Sequence, residues 1–412
     1  MKKPFFFVFF SFVLFQGFAQ TSNKIVLGTI DSIDSKILHE QRKIWVYVPK
    51  GGATDMYGKA KYPVVYLLDG DAHFYSVVGM IQQLSSVNGN TICPEMIVVG
   101  IPNTDRTRDL TPTHVDVDPM MMNDSSASRT SGGGEQFMAF IEKELMPHID
   151  SVYPTLPYKT IIGHSLGGLT VMNTLINHKD LFNAYVAIDP SMWWDKKALL
   201  HKAADVLPKE NYQNKMLFLG IANTMNKGMD TAKVRNDTTL FSSHIQSILS
   251  LNDVLQQNRN NGLSYDYKYY KNDNHGSVPL IATYDALHFI FGFYNFELTT
   301  DDLMNFSMET VAKLEKHYED VSKHFGFTYN PPEVLVDNLA YIAWSQKKIP
   351  EVKRLLDMNI TNYPTSFNAF NFMGDLQSAE GNKAKAIEYY RKALTIKEYP
   401  EARKKLNTLL KK

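Results

Sequence analysis

One short segment near the middle of the chain constrains the fold more than any other. Residues 160–170 read as a short apolar strand, a glycine-rich turn and the start of a helix. Within them, residues 163–167 are Gly-His-Ser-Leu-Gly, which matches the Gly-x-Ser-x-Gly nucleophile elbow. In such an elbow the serine stands on a strained turn, and the helix behind it favours developing negative charge. The segment predicts Ser165 as a nucleophile at the tip of a central strand.

The surrounding sequence alternates between strand and helix patterns over residues 24–294. Residues 63–68 and 96–101 are short apolar runs, which suit central strands buried on both faces of a mainly parallel sheet. Between residues 135 and 153, apolar side chains recur at steps of mostly three and four, which predicts a helix packed by one face. This repeated order predicts an α/β fold, built as a three-layer sandwich.

After about residue 300 the strand patterns disappear and the sequence predicts helices only. Gly374, Ala386 and Tyr390 fall close to the offsets of a tetratricopeptide repeat, and a weaker copy lies about 34 residues upstream. A plain helical hairpin is the alternative. We therefore expect an α/β domain over residues 20–298 and a small all-α, tetratricopeptide-like domain over residues 299–412. Repeats of this type usually bind peptides or partner proteins.

The first residues predict export. Lys2 and Lys3 precede an apolar stretch, and small residues follow at Gly17 and Ala19, which is the pattern of a Sec signal peptide. We expect a signal peptide over residues 1–19 and a periplasmic or secreted mature protein. An uncleaved N-terminal anchor is the alternative, although the apolar stretch is short for a membrane span.

Charge and cysteine content exclude several classes of function. The 43 Lys and Arg residues balance 43 Asp and Glu residues, so nothing favours binding to nucleic acid or to an anionic membrane. Cys93 is the single cysteine, which excludes an internal disulfide framework and a cysteine-based zinc cluster. The sequence also has no carboxylate–histidine cluster with metal-ligand spacing. We expect no metal and no cofactor.

A serine hydroxyl needs a base, usually a histidine held by an acid, and in this type of fold the chain order is serine, acid, histidine. His275 lies in a polar loop directly after the last predicted strand, where the base belongs. Three other histidines lie in helical patterns, where packed or surface roles are expected: His201, His244 and His288. We predict His275 as the base.

The acid is expected in the loop after the predicted strand at residues 216–219. Asp230 is the first carboxylate there, and we favour it. Asp237 is the second, but it precedes a helix and suits an N-cap. Asp189 is a third candidate because it ends the preceding strand, where some hydrolases carry the acid.

Other residues are expected around the nucleophile. Backbone N–H groups of Leu166 and Asp71 are the predicted oxyanion hole, since each follows the tip of a strand. Arg108 lies on the predicted rim, where it would bind an anion or, equally, brace its own loop. Trp193 and Trp194 follow another strand and are candidates for an aromatic wall against the substrate, with packing of one of them as the alternative.

Together these segments resemble the bacterial putative-esterase family of the α/β-hydrolases, which includes siderophore esterases, S-formylglutathione hydrolases, feruloyl esterases and mycolyltransferases. The resemblance spans roughly residues 41–294 and rests on residues 66–70, 163–168, 189–194 and 274–277. It implies an α/β-hydrolase fold, Ser165 as nucleophile, His275 as base and the Asp69–Gly70 loop at the oxyanion hole. Many relatives carry a carboxylate just after the strand that ends near Gly220. Ala222 and its neighbours stand there instead, so a Ser–His pair aided by water is an alternative to a triad.

We therefore expect a secreted or periplasmic serine hydrolase that cleaves small carboxylic esters through an acyl-enzyme. A thioesterase or acyltransferase would use the same residues. A different class of function is a hydrolase-fold binding module whose helical repeats recruit a protein partner. Neither nucleic-acid binding nor stable membrane insertion after signal cleavage is expected.

Overall fold

The structure is a computed structural model that describes residues 25–49, 56–117 and 128–411. The predicted signal peptide, residues 1–19, lies outside the described residues. The strands are β1 (Thr29–Ser35), β2 (Glu40–Tyr47), β3 (Tyr62–Leu68), β4 (Ile97–Ile101), β5 (Thr155–His164), β6 (Ala184–Ile188), β7 (Met216–Ala222) and β8 (Ser264–Tyr270). They form one sheet in the order β1-β2-β4-β3-β5-β6-β7-β8. Strand β2 runs antiparallel to both of its neighbours, whereas the pairs from β4 to β8 are parallel.

Helices cover both faces of this sheet. In the first part of the chain they are α1 (Gly70–Ser85), α2 (Arg106–Leu110), α3 (Gly134–Phe140), α4 (Met146–Val152), α5 (Leu166–Asn177), α6 (Trp194–Val206), α7 (Ser243–Gln257) and α8 (Val278–Phe291). A π-helical turn (Ile141–Leu145) joins α3 to α4, and short 3-10 turns occur at Val87–Gly89, Val234–Asn236, Leu240–Ser242 and Arg259–Asn261.

The strand side chains explain the three layers. Strands β3, β4 and β6 are buried along their whole length, as expected for strands that have helices on both sides. Tyr66 and Ile161 pack with helices α3 to α7, whereas Val65 and Ile162 pack with α1 and α8 on the other face. The predicted α/β-hydrolase sandwich is confirmed.

A second, all-helical region follows, as predicted. Its helices are α9 (Thr300–Met304), α10 (Met308–Phe325), α11 (Glu333–Ser345), α12 (Ile349–Asn362), α13 (Phe367–Ala379), α14 (Lys383–Ile396) and α15 (Pro400–Lys411). In the pair α13–α14, a Cβ on Gly374 would lie 2.7 Å from the ring of Tyr390, so only glycine allows this close approach. Within the described residues, no helix has both the length and the apolar character needed to cross a bilayer.

The helical region packs on the sheet at the amino ends of the parallel strands. Phe325 of α10 lies edge-on to Tyr158, with 4.9 Å between ring centroids, and Tyr158 stands near the start of β5. Phe325 also contacts Phe293, and the hydroxyls of Tyr294 and Tyr329 lie 3.3 Å apart. These side chains continue the apolar core of α1 and α8 into the helical region. The two regions therefore share one core, located away from Ser165 at the opposite end of β5.

This shared core predicts a stability effect that crosses the region boundary. Phe325→Ala should lower the free energy of unfolding by about 3–5 kcal/mol, because it leaves a cavity against both regions. We expect denaturant unfolding followed by intrinsic fluorescence to shift as one transition, since Trp45, Trp193 and Trp194 lie in the α/β part and Trp344 in the helical part. Leu410→Ala is the control, because Leu410 is half-exposed on α15. An unchanged transition of the α/β part would show that the regions fold separately.

Candidate active site

Ser165 stands on a strained turn between β5 and α5. Its backbone has φ 60° and ψ −116°, a left-handed conformation that non-glycine residues rarely adopt. A Cβ on Gly163 would overlap the carbonyl oxygen of Gly167, and one on Gly168 would lie 3.0 Å from the carbonyl oxygen of Ile188. The glycines of the motif are therefore required by the turn itself, as the sequence pattern predicts.

The Ser165 hydroxyl lies close to a second serine. Its Oγ is 3.3 Å from Oγ of Ser191, and the backbone N–H of Ser191 donates to the carbonyl oxygen of Ser165. Ser191 follows β6, the neighbour of β5 in the sheet. The segment 189–194 is therefore hydrogen-bonded directly to the elbow through Ser191.

His275 is paired with Asp189. Its Nδ1 lies 2.6 Å from Oδ2 of Asp189, which directly follows β6. The side chain of Asp189 is fully buried, and its Oδ1 accepts a hydrogen bond of 2.9 Å from the backbone N–H of Ala222 at the end of β7. Three neighbouring strand ends thus hold Asp189, Ser165 and the backbone that supports the Asp189 carboxylate.

Asp189 is held as a carboxylate. Burial alone would raise the pKa of Asp189, but hydrogen bonds from His244 and His275 outweigh it and hold that pKa well below its usual range. Because Asp189 accepts at His275 Nδ1, the other ring nitrogen, Nε2, is free to accept a proton from a nucleophile.

The prediction of Asp230 as the partner of His275 is wrong. The side chain of Asp230 is 56% exposed and accepts hydrogen bonds from the backbone N–H groups of Ala232 and Lys233, so it caps its own turn. Asp237 likewise accepts from Thr239 within its own loop. Asp189, the third candidate, takes the position because it directly follows β6 and is held against His275, whereas Asp230 lies in an exposed turn well beyond the end of β7. The lack of a carboxylate at Ala222 was the signal in the sequence for this exchange.

His244 is a residue that the helical pattern did not identify. It lies in the first turn of α7, and its Nε2 is 2.8 Å from the same oxygen of Asp189 that binds His275. The sequence pattern predicts a packed or surface histidine there. The side chain is indeed 10% exposed, but what it packs against is the buried acid.

These three side chains form a cluster that the sequence did not indicate. One oxygen of Asp189 and one nitrogen each of His244 and His275 lie within 4.8 Å of one another. Their separations of 55 and 86 residues along the chain explain why no local spacing pattern was visible. Hydrogen bonds of both rings to the carboxylate already account for the arrangement.

His164 packs against the candidate base. The centroids of the His164 and His275 rings are 4.4 Å apart, and His73 lies on the other side of His164 with 5.9 Å between centroids. Burial, assisted by the charge of His275, lowers the pKa of His164 to about 4. At neutral pH His164 is therefore an uncharged ring that packs against His275.

The predicted oxyanion donors lie at the starts of two helices that follow neighbouring strands. Leu166 begins α5 and Asp71 is the second residue of α1, and the strands before them, β5 and β3, are parallel neighbours. Backbone N–H groups in a first helical turn have no acceptor within the helix. The loop before Asp71 is held by Asp69, whose carboxylate accepts from Arg106 at 2.6 and 3.0 Å.

Arg108 does not offer a free guanidinium to the rim. It donates to Glu40 at 2.7 and 3.1 Å and to Asp109 at 2.7 Å. Asp109 also binds the buried Arg42 at 2.6 Å. The prediction of a substrate contact is therefore replaced by its alternative, a brace that ties α2 to β2.

The two tryptophans have different surroundings. Trp194 is buried and its Nε1 donates to the carbonyl oxygen of Thr113 at 3.1 Å, so it packs rather than lining a wall. Trp193 is half-buried beside it, with 5.8 Å between ring centroids. Of the two tryptophans predicted to line an aromatic wall, Trp193 is therefore the one whose side chain is accessible to a ligand.

The fold and this constellation define the class of protein: a strained elbow serine beside a histidine that is paired with a buried aspartate, at the carboxyl ends of the strands, is the active-site arrangement of an α/β-hydrolase. The model of one family, described as Putative esterase, matches residues 35–277, which is more than half of the 412 residues. The chain belongs to this family.

Named relatives are esterases of siderophores. The ferri-bacillibactin esterase BesA of Bacillus subtilis is 33% identical over 203 residues, which are 47% of this chain and 70% of that protein. A siderophore enterobactin esterase of Emericella nidulans is 30% identical over 150 residues, 34% of this chain, and the chain spans about half, 49%, of its length. The crystal structure of an IroE-like serine hydrolase from Shewanella oneidensis is similar with a TM-score of 0.67 and 31% identity, covering 81% of this chain and 98% of that one.

Proposed function

We propose that this protein is a serine hydrolase that cleaves carboxylic esters through an acyl-enzyme intermediate. The observation that carries the proposal is the pairing of His275 with buried Asp189 beside the elbow of Ser165. The similarity to siderophore esterases supports ester hydrolysis as the reaction.

In the proposed mechanism, Oγ of Ser165 attacks the ester carbonyl carbon while Nε2 of His275 takes its proton. Asp189 keeps the proton of His275 on Nδ1 and stabilises the imidazolium. The N–H groups of Leu166 and Asp71 hold the oxyanion of the tetrahedral intermediate. His275 then donates its proton to the leaving alcohol, and water attacks the acyl-enzyme by the same path in reverse, releasing the acid and free Ser165.

The Ser165 hydroxyl must change partner before it attacks. In the resting arrangement its neighbour is Ser191, at 3.3 Å. Rotation of the Ser165 side chain toward His275 gives up one weak hydrogen bond and forms the one that the reaction needs. Catalytic hydrogen bonds that are absent or long without substrate are common in enzymes of this type.

As substrate we propose an ester of a siderophore with aromatic acyl groups. The relatives named above act on siderophores, and the half-buried ring of Trp193 adjoins the Asp189–Ser191 segment, where an aryl group would stack. We further propose that the protein is secreted or periplasmic, which the predicted signal peptide supports, and that the helical region is tetratricopeptide-like and binds a protein partner.

The experiment is covalent labelling combined with substrate comparison. A fluorophosphonate should label the mature protein on Ser165, identified by mass spectrometry of the labelled peptide. The same preparation should hydrolyse a catecholate trilactone with a higher kcat/KM than p-nitrophenyl butyrate. No label and no turnover would reject the serine hydrolase, whereas labelling with turnover of the simple ester alone would reject only the siderophore substrate.

A further inference from the structure

The second histidine on Asp189 has no part in the mechanism above. We propose that His244 is a positioning residue, which holds the Asp189 carboxylate and, by sharing its oxygen with His275, sets the pH at which His275 becomes an effective base. This inference rests on the proposed hydrolase function and names a residue that regulates that site.

The geometry places both rings on one acceptor atom. Nδ1 of His275 and Nε2 of His244 lie 2.6 and 2.8 Å from Oδ2 of Asp189. The two rings are nearly perpendicular, at 88°, with centroids 5.1 Å apart, so neither obstructs the other. Oδ1 accepts from Ala222, and Asp189 has no exposed surface. His244 therefore supplies one of three protein donors to a carboxylate that water does not reach.

Asp189 also needs this support because of its backbone. Its φ of 42° places a non-glycine residue in the left-handed region, which surrounding contacts must stabilise. The two donors other than His275 act on opposite oxygens and come from different elements, Ala222 at the end of β7 and His244 in α7. Together they fix the direction from which the carboxylate meets His275.

Sharing the oxygen has an electrostatic consequence. A donor at Oδ2 withdraws electron density from the atom that stabilises the imidazolium of His275. His244 can donate through Nε2 whether or not its Nδ1 carries a proton, so the effect persists over the working pH range. Without this donor, Asp189 would hold the imidazolium more strongly, and His275 would stay protonated to a higher pH.

Other charged or titratable groups near the pair stay in place when His244 is changed. They are His164 and His73 on the side of α1, the Asp69–Arg106 pair beside them, Asp273 in the loop of His275, and Asp237 before α7. Asp273 and Asp237 accept from hydroxyls of their own loops, and Asp69 is bound to Arg106. Among the described residues, His244 is thus the group whose removal changes the donors of Asp189 directly.

The test compares variants that keep or remove the donor. His244→Leu and His244→Phe remove the N–H, and the phenylalanine keeps a ring of similar size. His244→Gln retains an N–H at a comparable reach. In profiles of kcat/KM against pH with a soluble ester, the midpoint of the acidic limb should rise by about 0.5–1 pH unit in the Leu and Phe variants, the size expected for one hydrogen bond. Plateau kcat should fall roughly tenfold, and the Gln variant should stay near wild type.

A measurement that needs no turnover separates this proposal from the proposed function. The ring of His275 can be titrated by NMR in each variant, with its resonance assigned by its loss in His275→Gln. An upward shift of this titration in the Leu and Phe variants, but not in Gln, supports the role of His244 even if no ester is cleaved. Unchanged midpoints in both the kinetic and the NMR profiles would overturn it and leave His244 a packing residue.

Discussion

Replacing Ser165 with alanine is expected to reduce kcat for a p-nitrophenyl ester by about 10⁵- to 10⁶-fold, the cost of removing the nucleophile of a serine hydrolase. The change removes one oxygen atom and no packing. The strained φ of 60° is kept by the elbow contacts, so the fold and melting temperature should stay close to those of wild type. Steady-state kinetics with an active-site titration of the wild type would measure the effect.

Ser191 provides a matched control for this experiment. Ser191→Ala removes a hydroxyl 3.3 Å from Oγ of Ser165 but no nucleophile, so its kcat should fall by less than about tenfold. If Ser165→Ala retained more than about a hundredth of wild-type kcat, a covalent serine mechanism would be ruled out. Equal losses in the two variants would instead indicate that the pair of hydroxyls acts as a unit.

The second large effect concerns the acid. Asp189→Asn should lower kcat by about 10⁴-fold while leaving the protein folded. An amide can present its NH₂ group to His275, which then turns its unprotonated Nδ1 toward residue 189 and carries the proton on the nitrogen that faces Ser165. That tautomer cannot take the serine proton. Rates for Asp189→Asn measured across the pH range would quantify the loss.

Asp230→Asn is the control for this experiment. Asp230 is exposed and binds only backbone groups and a lysine of its own turn, so kcat should stay within about twofold of wild type. The reverse pattern, with Asp230→Asn inactive and Asp189→Asn active, would restore the acid expected from chain order. Similar activity in the wild type, Asp189→Asn and Asp230→Asn would favour a Ser–His pair that works without an acid.

How much of this site the sequence could predict depends on how local each feature is. The elbow is a continuous run, and its glycines are needed where they stand, so residues 163–168 alone predict Ser165 as the nucleophile. His275 is predicted as the base because it follows the last strand in a polar loop. Both follow from the order of strands and helices, which hydrophobic periodicity indicates.

Asp189 could be predicted only as one of three candidate acids, and the second histidine could not be found in this way. Asp189, His244 and His275 come together from three separate elements, and no spacing along the chain reports that they share one oxygen. The helical pattern of α7 allows His244 a packed or a surface position and does not show what its side chain contacts. For Arg108 the sequence leaves an anion contact and a brace equally open for a similar reason, because its partner Glu40 lies 68 residues away on β2.

The common core of the α/β and helical regions has an evolutionary consequence. Tyr158, Phe293 and Tyr294 are aromatic at a place where a free hydrolase domain would meet water, and α10 covers them. Under such a cover, replacement of polar by apolar residues is tolerated, and each replacement makes later loss of the helices more harmful. The helical region therefore becomes difficult to lose, whatever its original function. Homologous chains that end at the hydrolase fold should therefore carry polar residues at these three positions.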